Sequence, residues 1–263
     1  MRFGACSSLS NMSLIKAAGY DYAEGQLVEI AKLNNDSFEE ACNSVRELGI
    51  SVETFCLFFK GDIVLVGDNV NFDVIKNYAE IALPRAKKLG GKVLVLGNGS
   101  LRRIPEGFPR EKAIEQFKKI LWICGDIAAR NDLKIAIEPL RTAETNLINT
   151  FAEGLEFCKK LNHPNVGVLA DFFHMYMNGE TMEDLENAGK WLLHVHIAAP
   201  DESRREPSMA DADILMKWAD ALKVSGYNER MSLECKPSSD FRKALESMSE
   251  VKPIFLGVLD SYD

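Results

Sequence analysis

Residues 92–138 read KVLVLGNGSLRRIPEGFPREKAIEQFKKILWICGDIAARNDLKIAIE. An apolar, β-branched run at 92–96 gives way to a turn at Gly97, Asn98 and Gly99. A segment from Arg110 to Asn131 then carries Ile114, Phe117, Leu121, Cys124 and Ala128 at helical spacing. A turn at Asn131 and Asp132 leads into a second apolar run, 133–138. Strand, helix and strand with short joints form the unit of a parallel sheet.

The same alternation runs along the whole chain. Strands are predicted at 2–6, 20–24, 52–57, 92–96, 133–138, 166–171, 192–197 and 231–235. One intervening helix starts at Asp36 and Ser37, with Phe38, Ala41, Cys42, Val45 and Leu48 on one face and a capping box of Ser37 and Glu40. Another follows Thr181, which stands three residues before Asp184 in cap spacing. Turn residues such as Gly19, Gly49, Gly90 and the 162–165 Asn-His-Pro-Asn run close the units. Eight units in 263 residues predict an α/β chain folded as a single (β/α)₈ TIM barrel, one domain over 1–263. An open doubly wound sheet is the alternative, but G-x-G-x-x-G after the first strand is missing.

Composition narrows the functional classes. With 46% hydrophobic and 27% charged residues the chain is of globular type. Its apolar runs are far shorter than the ~20 residues of a membrane span. The opening MRFGACSSLS reads as a strand and turn rather than a leader, which predicts a cytoplasmic protein. The formal charge of −8 shows no basic domain, and the Arg102, Arg103 and Arg204, Arg205 pairs are isolated, which argues against nucleic acid as a partner. The six cysteines form no C-x-x-C and read as reduced core thiols rather than a zinc ribbon.

In a barrel the C-terminal strand ends form the open mouth, where functional groups collect. The fifth to eighth strands end in Glu138, Asp171, His196 and Glu234, each behind an apolar run and about one βα unit apart. These groups should stand at one height around half the mouth. Three carboxylates brought together repel and raise one another's pKa values unless a cation lies between them. A single divalent ion is therefore expected, Mn²⁺ or Mg²⁺ by the oxygen-rich ligand set, with Co²⁺ or Zn²⁺ as alternatives. His194 sits one layer deeper, as a hydrogen-bonded interior residue, and His174 is either a substrate contact or loop packing. His163, before the sixth strand, belongs to the bottom face as a structural residue.

The ordered series Ile137-Glu138-Pro139-Leu140, Asp171-x-x-His174, His194-Val195-His196 and Leu233-Glu234 resembles the xylose isomerase-like barrel superfamily of sugar phosphate isomerases and epimerases. Within it the nearest likeness is to the ketose 3-epimerase and hydroxypyruvate isomerase branch. The resemblance extends over essentially the whole chain, including residues 19–24. It implies that Glu138, Asp171, His196 and Glu234 are the metal ligands, with Glu138 and Glu234 also the catalytic acid/base pair. Glu144 and His174 would hold substrate oxygens. The family often sets an arginine before Pro-Gly shortly after the metal-bound histidine; here Arg204, in DESRREPSMA, matches as Arg-x-x-Pro, with a longer spacing and Ser208 in place of the glycine.

The chemistry so implied is deprotonation of a small-molecule sugar, a keto-sugar or small hydroxycarbonyl, by one Glu and reprotonation by the other through a metal-stabilised enediolate. The outcome is epimerisation or aldose–ketose isomerisation. A metal-dependent keto-polyol dehydratase could use the same ligands, and an endonuclease IV-like nuclease shares the barrel but needs more histidines than the four here. A metal-free binding barrel is a further alternative. Phe58 and Phe59 could wall the sugar site or merely pack, and Arg204, Arg205 or the amides of Ser238 and Ser239 could take a phosphate. An exposed helix face could pair two copies as a homo-oligomer.

Overall fold

A computed structural model describes residues 1–59 and 61–257. Its strands are β1 Arg2–Cys6, β2 Tyr22–Gln26, β3 Val52–Cys56, β4 Val93–Leu96, β5 Lys134–Ile137, β6 Val166–Asp171, β7 Leu192–Ile197 and β8 Arg230–Leu233. All pair in parallel and in order, and β8 returns to β1 with Phe3 opposite Met231, closing the barrel. The connecting helices are α1 Met12–Ala17, α2 Leu27–Ala31, α3 Asn35–Leu48, α4 Phe72–Lys88, α5 Arg110–Arg130, α6 Phe151–Leu161, α7 Phe172–Met177, α8 Glu183–Glu186, α9 Ala212–Ser225 and α10 Phe241–Phe255.

Alternation along each strand divides the side chains between two environments. On β4, Leu94 and Leu96 face the helices, where Phe117, Leu121, Cys124 and Ala128 of α5 are fully buried. Each buried Phe or Leu of this layer contributes about 1.5–3 kcal/mol. Val93 and Val95 turn inward, onto Cys56, Ala136 and Leu169. That apolar cluster fills one side of the barrel interior. The other side is polar: Tyr22 and Ser232 share a hydrogen bond of 2.8 Å, and Glu24, Thr54, His194 and His196 lie above them, fully buried. Gly4 makes room for this arrangement, because a Cβ there would overlap the Tyr22 ring.

Several local expectations are corrected. Asn34, not Ser37, caps α3: its side chain accepts the Ser37 amide at 2.8 Å, so Ser37 lies inside the first turn. Leu48, expected on the buried face, is exposed at the last turn of that helix. Thr181 caps no long helix; α8 has four residues and follows Met182, and the helix after β6 is α7, started by Asp171 itself. Strand two begins at Tyr22 because Tyr20 turns outward, where its hydroxyl donates to the Leu245 carbonyl of α10 at 3.0 Å. Phe58 and Phe59, in keeping with the packing alternative, are buried against each other and Tyr78. Among the described residues no helix is long and apolar enough to cross a membrane.

Candidate metal centre

The mouth brings together all four strand-end groups. One ligand atom each from Glu138, Asp171, His196 and Glu234 lies within 4.8 Å of the others. An octahedral ion with bonds near 2.1 Å sets neighbouring ligands about 3 Å apart, so small side-chain rotations close the ring. Glu138 and Glu234 stand one residue beyond β5 and β8, on the inward parity of those strands. Asp171 ends β6 and divides its oxygens: Oδ1 accepts the Phe173 and His174 amides at 2.9 and 3.2 Å, which leaves Oδ2 for the centre.

His196 is oriented from behind. Glu24 of β2 accepts its Nε2 at 2.9 Å and the Nε2 of His194 at 2.7 Å, and Thr54 donates to the same carboxylate at 2.7 Å. A carboxylate only accepts, so both Nε2 atoms carry protons. His196 therefore turns Nδ1 toward the centre, 3.1 Å from Glu234 and 3.6 Å from Glu138, where this buried nitrogen makes no hydrogen bond. An orphaned imidazole nitrogen facing three carboxylates fits a divalent cation. A histidine backed by a carboxylate is the usual support of such a ligand. His194 thus has the interior hydrogen bond expected of it, and His163 lies buried beside Asp126 and Asn165, away from the mouth.

Electrostatics mark the same point. Burial, then Glu234, pushes Glu138 up from the ordinary carboxylate range. Burial is the largest influence on Glu234 and Asp171 and works to raise both, but Arg204 together with His196, and for Asp171 also His174, holds them below that range. Burial alone would lower His196, yet Glu24 and Glu234 hold it well above the usual imidazole value. Arg204 reaches Asp171 Oδ2 at 2.7 Å and also bonds Glu234, so its positive head occupies the edge of the cation position. Its backbone is left-handed, φ 53°, and is held by a Lys236 amide on its carbonyl at 2.7 Å. A non-glycine residue kept in that region is strained, and such strain concentrates at functional positions.

The remaining candidates line the same mouth. His174 is buried, with neither ring nitrogen hydrogen-bonded; Nε2 is 3.7 Å from Asp171 and Nδ1 is 3.9 Å from Glu144. Arg141 holds Glu144 at 2.9 Å. Of the phosphate alternatives, Arg204, Arg205 and the Ser238 amide are engaged within the protein. Arg205 is paired with Asp201 and Asp211, the amide of Ser238 donates to Glu206 at 2.9 Å, and Asp240 caps α10.

Two residues of this centre escape a reading of the last four strand ends. Glu24 lies in the middle of β2, behind Tyr-Asp-Tyr-Ala rather than an apolar run, and its histidine partners come from β7. Gly97 reads as loop chemistry, yet a Cβ there would overlap Glu138 Oε2. Gly97→Ala should therefore displace a flexible carboxylate while leaving the thermal midpoint nearly unchanged. A displacement of about 1 Å at a reacting group can cost about 100-fold in turnover. Wild-type turnover in that variant would show that Glu138 needs no such space.

Comparison with known proteins agrees with this architecture. The sequence model of the xylose isomerase-like TIM barrel family matches residues 12–251. The 3-dehydro-D-guloside 4-epimerase of Escherichia coli (strain K12) is 26% identical over 216 residues, 78% of each chain. The crystal structure of D-psicose 3-epimerase with D-tagatose, from Clostridium cellulolyticum H10, superposes with a TM-score of 0.82 at 18% identity, over 99% of this chain and 100% of that one. The IOLI protein with a binding zinc atom superposes with a TM-score of 0.75 at 19% identity, over 99% and 100% of the two chains.

Proposed function

Because the chain belongs to the xylose isomerase-like TIM barrel family, we propose that it is a divalent-metal-dependent isomerase or epimerase of an unphosphorylated keto-sugar or small hydroxycarbonyl compound. The observation that carries this reading is the convergence of Glu138, Asp171, His196 and Glu234 on one point of the mouth. Relatives named as sugar epimerases support the reaction class. The pairing of Arg205 and Ser238 within the protein supports a substrate without phosphate.

Glu138, Asp171, His196 and Glu234 would hold the ion, with Mn²⁺ or Mg²⁺ best suited to three oxygens and one nitrogen. Bound there, a divalent ion supplies Lewis acidity, polarising a carbonyl and stabilising negative charge that develops on its oxygen. Glu138 and Glu234 approach from separate sides of the mouth, β5 and β8. One removes the proton next to the carbonyl and the other returns a proton to the opposite face, inverting that carbon. Delivery to the neighbouring carbon gives the aldose–ketose exchange instead. Arg204, drawn off Asp171 and Glu234 once their charge is otherwise balanced, binds substrate oxygens together with His174 and Glu144. The buried, unpartnered ring of His174 is suited to a sugar hydroxyl. Deep in the barrel, the Glu24 network keeps the His196 tautomer fixed throughout.

The test is a panel of free and phosphorylated ketoses incubated in D₂O with Mn²⁺-loaded protein and followed by NMR. The reading expects deuterium at the exchanged carbon, a new epimer or isomer, and preference for free sugars. Loss of water from the substrate would point to a dehydratase, and absence of any exchange would sink the proposal.

A further inference from the structure

Cys6 and Cys56 are far apart in sequence and form no motif, yet the barrel sets them together. Each is the last residue of its strand, β1 and β3, and each faces the mouth. One sulfur from each lies within 4.8 Å of the other and of a Glu234 oxygen. Cys56 Sγ is also 3.5 Å from the Gly25 carbonyl, and Cys6 Sγ is 4.0 Å from His196 Nε2. We propose that Cys6, Cys56 and Glu234 form a second metal site, specific for a thiophilic divalent ion such as Zn²⁺ or Cd²⁺, beside the oxygen-rich centre.

The arrangement selects metal over disulfide. Strand β2 runs between β1 and β3, so the two Cα atoms stand about two strand spacings apart, roughly 9 Å. A disulfide needs Cα atoms within about 7 Å. A tetrahedral ion with metal–sulfur bonds near 2.3 Å asks only that the sulfurs come to about 3.8 Å. The two thiols and one carboxylate supply three ligands, and the open mouth leaves the fourth position to water. Thiolates prefer Zn²⁺ and Cd²⁺ over Mn²⁺ and Mg²⁺, which are drawn to the carboxylates. Charge also balances: one M²⁺ enters, two S–H protons leave as H⁺, and no electron moves. The crowded anionic mouth therefore gains no net charge.

Glu234 is common to both sites. A thiophilic ion draws its carboxylate toward Cys6 and Cys56, and turnover falls. Binding at the thiol site is independent of the proposed reaction; only the inhibition rests on that reading.

The experiment titrates the full chain, already loaded with Mn²⁺, with Co²⁺ and then Cd²⁺. A Co²⁺–thiolate charge-transfer band should grow in the near ultraviolet to one ion per chain, and Cd²⁺ should bleach it. Cd²⁺ should also protect both Cys6 and Cys56 from alkylation, read by mass spectrometry on the unmutated protein. Cys6→Ser and Cys56→Ala should each weaken the Co²⁺ affinity by more than about tenfold, since even loss of a group that only supports a ligand costs about that much, and should relieve inhibition by Cd²⁺. Co²⁺ bound with no thiolate band, or a band unchanged in both variants, overturns the site. Failure of the sugar reaction would leave the band in place, so the two claims fail separately.

Discussion

Glu138→Gln and Glu234→Gln should each cut turnover about 10²–10⁴-fold, the range lost with a positioned acid or base, and should abolish deuterium uptake from solvent. Glutamine keeps the shape and one oxygen of the side chain but cannot cycle a proton. The two variants should differ in a second respect. Glu234 stands 3.1 Å from His196 Nδ1 and is held below the ordinary carboxylate range, so its neutralisation removes a full negative charge from the ligand set. Glu138 is the carboxyl already pushed upward by burial and by Glu234, and its neutralisation disturbs the cluster less. Divalent-ion affinity should accordingly fall further for Glu234→Gln. Steady-state kinetics, proton NMR in D₂O and calorimetric metal titration check the three outcomes. Normal turnover in either variant refutes the acid/base assignment.

Glu24 gives the second large effect, though it touches no reacting atom. Its carboxylate accepts from two buried imidazoles at once, and among the described residues it is the group that fixes Nε2 of His196 as the protonated nitrogen. Glu24→Leu leaves two buried N–H donors without an acceptor, each costing about 1–3 kcal/mol, and frees His196 to adopt the wrong tautomer. Metal affinity should drop about 10- to 100-fold, the usual effect of losing a carboxylate behind a metal-bound histidine. Glu24→Gln offers one acceptor in place of two. With its oxygen toward His196 the ligand tautomer survives and His194 must turn its protonation around. The Gln variant should therefore recover much of the affinity lost in the Leu variant. Equal metal affinity in Glu24→Leu and wild type, measured on protein shown to be folded, would reduce Glu24 to a packing residue.

The contrast between these groups shows what a linear sequence can display. β1, β6 and β7 coincide with the expected strands because short, largely apolar runs bounded by turns, β-branched in β6 and β7, have few other uses. The strand-end series Glu138, Asp171, His196 and Glu234 is legible for a related reason: strand ends in a barrel share one face whatever the helices do. Local capping is less so. The run Asn34, Asn35, Asp36, Ser37 offers four residues able to cap, and the φ and ψ of the first turn decide in favour of Asn34. Cross-barrel partners are hidden altogether. Glu24 meets His196 from 172 positions away, and Cys6 meets Cys56 over an intervening strand. Such contacts depend on closure and stagger as well as on side-chain parity, and of these only parity is written in spacing along the chain.

The claim on which the rest depends is that a divalent cation is held by Glu138, Asp171, His196 and Glu234. Crystals grown with Mn²⁺ and measured for anomalous scattering test it most directly. One strong anomalous peak is expected, about 2.0–2.6 Å from an oxygen of each carboxylate and from His196 Nδ1, with the Arg204 guanidinium withdrawn from Asp171 and Glu234. A map without that peak, in which Arg204 still bridges the two carboxylates at saturating Mn²⁺, would contradict it.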